Sequence, residues 1–305
     1  MKHPLDRRSF LKTTGLLTAG FSLAGLRSFA APTAPARSAT PAADQLGWRL
    51  GICTYTFRNF SLYESIEKTA ALGLRYIGAY PSQRLDAAQP DLIVGETLPA
   101  AARRELKRRL DDAGVKMVHF GVCGFDQGSD RFRAVFDLAA EFGVEAIPTE
   151  PPEDAFDALE KLADEYRINL AIHNHPEFQK GSRYWNPDIV LKICSGRSKR
   201  IGACADTGHW ARTGLNPIEC LRKLEGRLLA VHLKDVDKLE RKGHCVPYGT
   251  GVCDVKGMLA EFQRQGAKPA FVVEHEYNWA DNLADIAQSA AYFDATVAAL
   301  PRPTA

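Results

Sequence analysis

No Gly-x-Gly-x-x-Gly follows the first strand-like run of this 305-residue chain, which argues against a dinucleotide-binding fold. Nor does any glycine-rich loop offer a cradle for phosphate. The seven cysteines include no Cys-x-x-Cys pair, and none lies among the residues suited to catalysis, so thiol chemistry is set aside. Cys53 and Cys204 sit in apolar runs and read as small buried hydrophobes. Cys245 and Cys253 flank a glycine-rich loop, where either a bridge or two free thiols would fit. Beyond residue 30 no apolar run reads as a membrane span, and no basic block tracks a nucleic-acid backbone.

The first thirty residues read as an address. Arg7-Arg8-Ser-Phe-Leu-Lys12 is a twin-arginine motif, followed by a weakly apolar run over 13–26 and the small-x-small site Ser28-Phe29-Ala30. The run is too short, and too rich in Gly and Thr, to span a membrane; it matches a cleaved export signal. The expected partner is the twin-arginine export machinery, and the expected location periplasmic or otherwise extracytoplasmic. Removing residues 1–30 leaves 34 basic against 36 acidic residues, a formal −2. Residues 31–46, rich in Ala, Pro, Thr and Ser, are expected to be a flexible linker.

Residues 47–300 alternate strand and helix patterns. Strand-like runs fall at 49–54, 76–79, 116–120, 145–149, 169–173, 201–206, 228–233 and 270–274, with helical periodicity between them. Gly73, Gly114, Gly143 and Gly266 each stand just past a last apolar helical position, where a left-handed cap releases the chain into the next strand. Eight β/α units in this length predict one α/β domain, a single (β/α)8 TIM barrel, rather than an open sheet.

Several strands finish in residues able to hold a cation. The run Ile201-Gly-Ala-Cys-Ala-Asp206 is an apolar strand that stops at a carboxylate, costly to bury unless a cation or hydrogen bonds receive it. Glu150, His232 and Glu274 end three other strands. The C-terminal strand ends of a TIM barrel converge on one mouth, and alternation lets these four side chains point inward. Three carboxylates and one imidazole suit Mn²⁺ or Mg²⁺, with Co²⁺ or Zn²⁺ as further candidates.

Asp206-Thr-Gly-His209, then His232-Leu-Lys-Asp235 and Glu274, resemble the xylose isomerase-like barrel superfamily, and within it the sugar phosphate isomerase/epimerase family, with ketose 3-epimerases and inosose dehydratase as relatives. His173-Asn-His175-Pro-Glu177-Phe resembles that family's strand-five motif. The resemblance implies that Glu150, Asp206, His232 and Glu274 hold one divalent ion and that the two glutamates exchange a proton beside a carbonyl. Such an ion stabilises an enediolate and makes the α-proton abstractable. His175, with Glu177, would serve as a second acid–base pair or bind hydroxyls. His173, Glu177, His209, Lys234, Tyr80 and Trp210 are the expected substrate-binding residues. The chain departs from the ketose 3-epimerases in offering only Glu153 or Asp154 as a second glutamate-like group after Glu150, and in ending strand two at Gly78-Ala79-Tyr80 where relatives place an acid.

Aromatic residues crowd the expected mouth: Tyr55, Phe57, Tyr80, Phe125, Trp185, Trp210, Tyr248 and Trp279. Such rings stack on the C–H faces of sugars. The reading is a metal-dependent isomerase or epimerase acting on a non-phosphorylated keto sugar or keto-glycoside. Its close alternative is a lyase that removes the same α-proton and expels a β-leaving group from a 3-keto sugar or inosose. An endonuclease-like phosphodiesterase and a non-catalytic sugar-binding protein are more remote.

Overall fold

The computed structural model describes residues 38–126 and 129–301. At its centre eight parallel strands close into a barrel: β1 (Arg49–Cys53), β2 (Tyr76–Ala79), β3 (Lys116–Phe120), β4 (Ala146–Thr149), β5 (Asn169–His173), β6 (Ile201–Asp206), β7 (Leu228–Leu233) and β8 (Ala270–Val273). Each pairs with the next in the chain, and β8 pairs back onto β1 with Arg49 opposite Ala270. Covered by helices outside and side chains inside, such strands have no polar face, which is why they read as continuous apolar runs. All six residues of β6 are buried. Small side chains fill one layer of the lumen (Ala146, Ala171, Cys204 and Ala230) because the converging backbones leave no more room. At Gly202 a Cβ would lie 2.3 Å from the Arg227 carbonyl oxygen, so the close approach of β6 to the next segment requires glycine.

The helices are α1 (Pro41–Leu46), α2 (Leu62–Ala71), α3 (Ala100–Ala113), α4 (Ser129–Glu141), α5 (Phe156–Tyr166), α6 (Pro187–Cys194), α7 (Thr207–Arg212), α8 (Pro217–Lys223), α9 (Val255–Arg264) and α10 (Leu283–Ala299). The expected glycine caps occur: Gly73, Gly114, Gly143 and Gly266 all have φ between 63° and 71°. Among the described residues no helix is long and apolar enough to cross a membrane.

The structure departs from the sequence reading at three places. The linker expected over 31–46 is, in its described part, not a tether: α1 folds there and buries Ala43 completely. Its free backbone amides at Ala42 and Ala43 donate to Asp294 Oδ1 of α10, at 2.8 and 2.9 Å, a cap supplied from the far end of the chain. Two short ribbons were also unforeseen, Arg84–Asp86 with Gln89–Ile93 and Asp235–Val236 with Cys245–Val246. The second is pinned by Asp235, whose carboxylate accepts from the amides of Gly249, Gly251 and Cys253. All seven cysteines are free and buried, Cys245 and Cys253 included. The export signal expected at residues 1–30 lies outside the described residues.

Candidate metal centre and active site

The ends of four strands meet, with His173 standing where the sequence reading placed Glu150. His173, Asp206, His232 and Glu274, at the ends of β5 to β8, offer ligand atoms that all lie within 4.8 Å of one another, and all four are buried. Asp206 anchors the group. Its Oδ1 accepts the backbone N–H of His209 at 2.8 Å and so caps α7, which starts without a linker at the end of β6. Asn174 brackets the same residue, accepting Asp206 N at 2.9 Å and donating to its carbonyl at 3.0 Å. The outer oxygen, Oδ2, is ion-paired with Lys234 Nζ at 2.8 Å and lies 3.2 Å from His209 Nδ1 and 3.4 Å from His173 Nε2. A fully buried carboxylate keeps its charge only with such positive partners around it. Two carboxylates and two imidazoles are the donor set of a divalent transition ion, so these residues fit one. His232 Nδ1 and Glu274 Oε2 stand 2.9 Å apart on the same ring.

Glu150, just past β4, stands beside this group rather than in it. Its Oε1 accepts from the His175 amide at 2.9 Å and meets the Nδ1 atoms of both His173, at 3.0 Å, and His175. His173 bridges the two clusters, its Nε2 being 3.4 Å from Asp206 Oδ2. Burial opposes ionisation of Glu150, but the two histidines outweigh it and hold its carboxyl well below the usual range. Burial likewise disfavours charge on His173, yet Asp206 and Glu150 raise it to about 9. Glu274 is opposed by burial but brought to about 2 by Lys234 and His232.

Lys234 is the least conventional member. The residue is 1 % exposed, and its ammonium lies 2.8 Å from Asp206, 3.0 Å from Glu274 and 3.0 Å from Glu276. Burial works against its charge, and the three carboxylates override it, keeping the amine protonated well above the ordinary lysine range. Its stem fits only because residue 208 is glycine: a Cβ there would lie 2.7 Å from Lys234 Cβ. Thr207 fixes the backbone by accepting Lys234 N at 2.8 Å and donating to its carbonyl at 3.0 Å. The Asp206-Thr-Gly-His209 segment thus supplies a candidate ligand, a clamp, clearance and a hydrogen-bonding imidazole in four consecutive residues.

A cavity of about 280 Å³ opens over the cluster, lined by Tyr55, Tyr80, His175, Gln179, His209 and Glu276 among others. Of the residues expected to bind substrate, Tyr80, His173 and His209 line this cavity, whereas Lys234, whose side chain is fully buried, does not. Glu177 does not: its side chain is exposed to solvent and it is absent from the lining. Trp210 is also outside, buried in the core beneath α7 because the helix turns that face inward. Of the other aromatics, Tyr55 lines the cavity, whereas Phe57, Phe125 and Tyr248 pack in the core. Two residues that the sequence reading did not single out belong to the site. Glu276 repeats the inward face of Glu274 two positions on, which alternation could have shown. Arg212 Nη1 pairs with Glu276 Oε2 at 2.6 Å, a partnership across 64 residues that no local pattern carries.

The model of the xylose isomerase-like TIM barrel family matches residues 66–296. An inosose dehydratase of Clostridium beijerinckii is 32 % identical over 91 residues, a stretch spanning 29 % of this chain and 29 % of that relative. A solved structure of an uncharacterised Parabacteroides distasonis protein is 32 % identical, with 81 % of this chain and 97 % of that one covered and a TM-score of 0.65. A barrel of the same kind from Mycobacterium smegmatis, solved in complex with magnesium, is 15 % identical, with 82 % and 97 % covered and a TM-score of 0.66.

Proposed function

The chain belongs to the xylose isomerase-like TIM barrel family, and we propose that it is a divalent-metal-dependent isomerase or epimerase of a non-phosphorylated keto sugar or keto-glycoside. The observation that carries this reading is the buried ring of His173, Asp206, His232 and Glu274, facing a cavity of sugar size. These four residues would hold the ion. Glu150 stands next to them: its side-chain bonds all go to Oε1, which leaves Oε2 for the ion or the substrate. Two imidazole nitrogens among the ligands favour Mn²⁺ over Mg²⁺, with Co²⁺ and Zn²⁺ able to substitute. Once bound, the ion supplies Lewis acidity to a carbonyl and its neighbouring hydroxyl, making the carbon between them acidic.

The protein's own groups do the rest. Glu274 just past β8 and the Glu150–His175 pair beyond β4 and β5 lie on opposite sides of the barrel mouth, so one removes the proton and the other returns it. Glu150 holds the His175 ring at Nδ1, and His175 lines the cavity. Lys234 keeps a positive charge directly behind the lining residues His209, Glu274 and Glu276, where it favours oxygens that gain charge. Tyr55 and Tyr80, 5.2 Å apart edge to face, form an apolar wall for the C–H face of a sugar and exclude water from the reacting carbon.

A lyase using the same first step is the second reading, favoured by the likeness to an inosose dehydratase. One experiment separates the two. Protein supplied with Mn²⁺ is incubated in D₂O with a panel of ketoses, inososes and 3-keto-glycosides, and products are weighed. Isomerisation gives deuterium incorporation at unchanged skeleton mass, whereas elimination loses water or an alcohol. No exchange with any of them refutes both readings. Glu150→Gln and His175→Ala should each slow exchange by about 10²–10⁴-fold with metal still bound. Full turnover in either variant would remove that pair from the mechanism.

A further inference from the structure

We propose that Glu276 is a positioning residue: it holds the Lys234 ammonium to one side, so that Asp206 and Glu274 are free for a divalent ion. The inference rests on the metal reading above and adds to it a part for a residue outside the ligand ring. Four groups surround Lys234 Nζ, but they are not equivalent. Asp206 Oδ2 at 2.8 Å and Glu274 Oε2 at 3.0 Å are close enough to attract it by charge. The aligned hydrogen bonds run instead to Glu276 Oε2, at 3.0 Å, and His209 Nε2, at 3.2 Å. His209 can accept there because its Nδ1 carries the proton it donates to the Asn174 carbonyl, at 3.0 Å.

A divalent ion bonded to Asp206 and Glu274 would face this ammonium at short range in a dry site, where repulsion is strong. Glu276 answers that problem in three ways. It supplies the negative charge that offsets the ammonium once the ion has claimed the other two carboxylates. It is itself fixed by Arg212, 2.6 Å away, so the berth does not follow the lysine. It also lines the cavity with a side chain 19 % exposed, while the ammonium it holds is shut off from solvent just behind that wall. The lack of side-chain space at Gly208 keeps the lysine stem in this track.

The test is Mn²⁺ binding by calorimetry to the purified protein and to Glu276→Gln, Lys234→Gln and the double variant. Glu276→Gln should weaken Mn²⁺ about tenfold or more although it removes no ligand. In the Lys234→Gln background the same change should do little, because no ammonium remains to be held. An equal loss in both backgrounds would mean that Glu276 acts only as a nearby negative charge, and no loss in either would leave it without a part; either outcome overturns the proposal. Failure of the unaltered protein to bind Mn²⁺ would instead refute the metal reading itself. Should Lys234→Gln not fold, diffraction from Mn²⁺-soaked crystals of the unaltered protein decides. Nζ must remain within about 3.2 Å of Glu276 and leave Asp206; an ammonium still bonded to Asp206 rules the berth out.

Discussion

Asp206→Asn is the substitution whose consequences follow most fully from the site. The amide keeps one oxygen for the His209 N–H, so α7 retains its cap, asparagine serving about as well as aspartate there. The other half becomes an NH₂ group facing Lys234 Nζ at 2.8 Å, His209 Nδ1 at 3.2 Å and His173 Nε2 at 3.4 Å. A full negative charge is thus lost and a donor is turned toward donors. Breaking a buried ion pair typically costs 3–5 kcal/mol, and because Lys234 keeps Glu274 and Glu276 the lower figure applies, about 3 kcal/mol. At this chain length each kcal/mol moves Tm by about 2–4 °C, so the variant should melt about 6–12 °C lower without added metal. A ligand present at a hundred times its Kd adds about 2.7 kcal/mol, which raises the unaltered protein's Tm by about 5–11 °C with Mn²⁺ and leaves the variant unmoved. Scanning calorimetry with EDTA and with Mn²⁺ reads both effects. A variant that melts like the parent in EDTA and responds equally to Mn²⁺ would refute the placement of Asp206 at the centre of the site.

Other consequences can be checked away from the mouth. Glu261 is held near a pKa of about 2, chiefly by Arg264 and also by Gln265 and Arg222, against the opposing effect of burial. Its folded pKa is depressed, so its stabilisation is present above about pH 4.5 and is lost as pH falls toward 2; the Tm deficit of Glu261→Gln should close over that window, and a deficit independent of pH would contradict this. Asp294→Ala should expose the Ala42 and Ala43 amides to faster hydrogen exchange and cost about 1–2 kcal/mol, the usual range for a lost cap; unchanged exchange would show that α1 is held by other means. Arg7→Lys with Arg8→Lys should retain the precursor in the cytoplasm, read by fractionation and immunoblot, and undiminished export would exclude the twin-arginine route.

Much of the barrel was legible because buried parallel strands leave so plain a trace. The runs at 76–79, 116–120, 169–173, 201–206 and 228–233 match the strands residue for residue. Their apolar continuity needs no long-range information, and the helices between them end at glycines whose positive φ is a local requirement. Asp206, His232 and Glu274 were legible for a related reason: a charged residue closing an apolar strand needs a partner. What escaped was whatever one part of the chain supplies to another. Helix α1 looks like a linker because its cap, Asp294, comes from the last helix. Arg212 and Glu276 find each other across the mouth. His173, expected to touch substrate, joins the candidate ligand cluster because its neighbours turn out to be Asp206 and Glu150. Trp210 and Glu177 were misassigned for the opposite reason. Both adjoin site residues in sequence, yet the turn of α7 buries one and the loop after β5 exposes the other.

The most direct measurement is anomalous diffraction at the manganese edge from crystals grown with Mn²⁺. The account predicts one peak at the barrel mouth, bonded at roughly 2.0–2.4 Å to Asp206, His232 and Glu274, with His173 or Glu150 completing its protein ligands. No peak there, with Lys234 still lodged against Asp206 and Glu274 at saturating Mn²⁺, would contradict it.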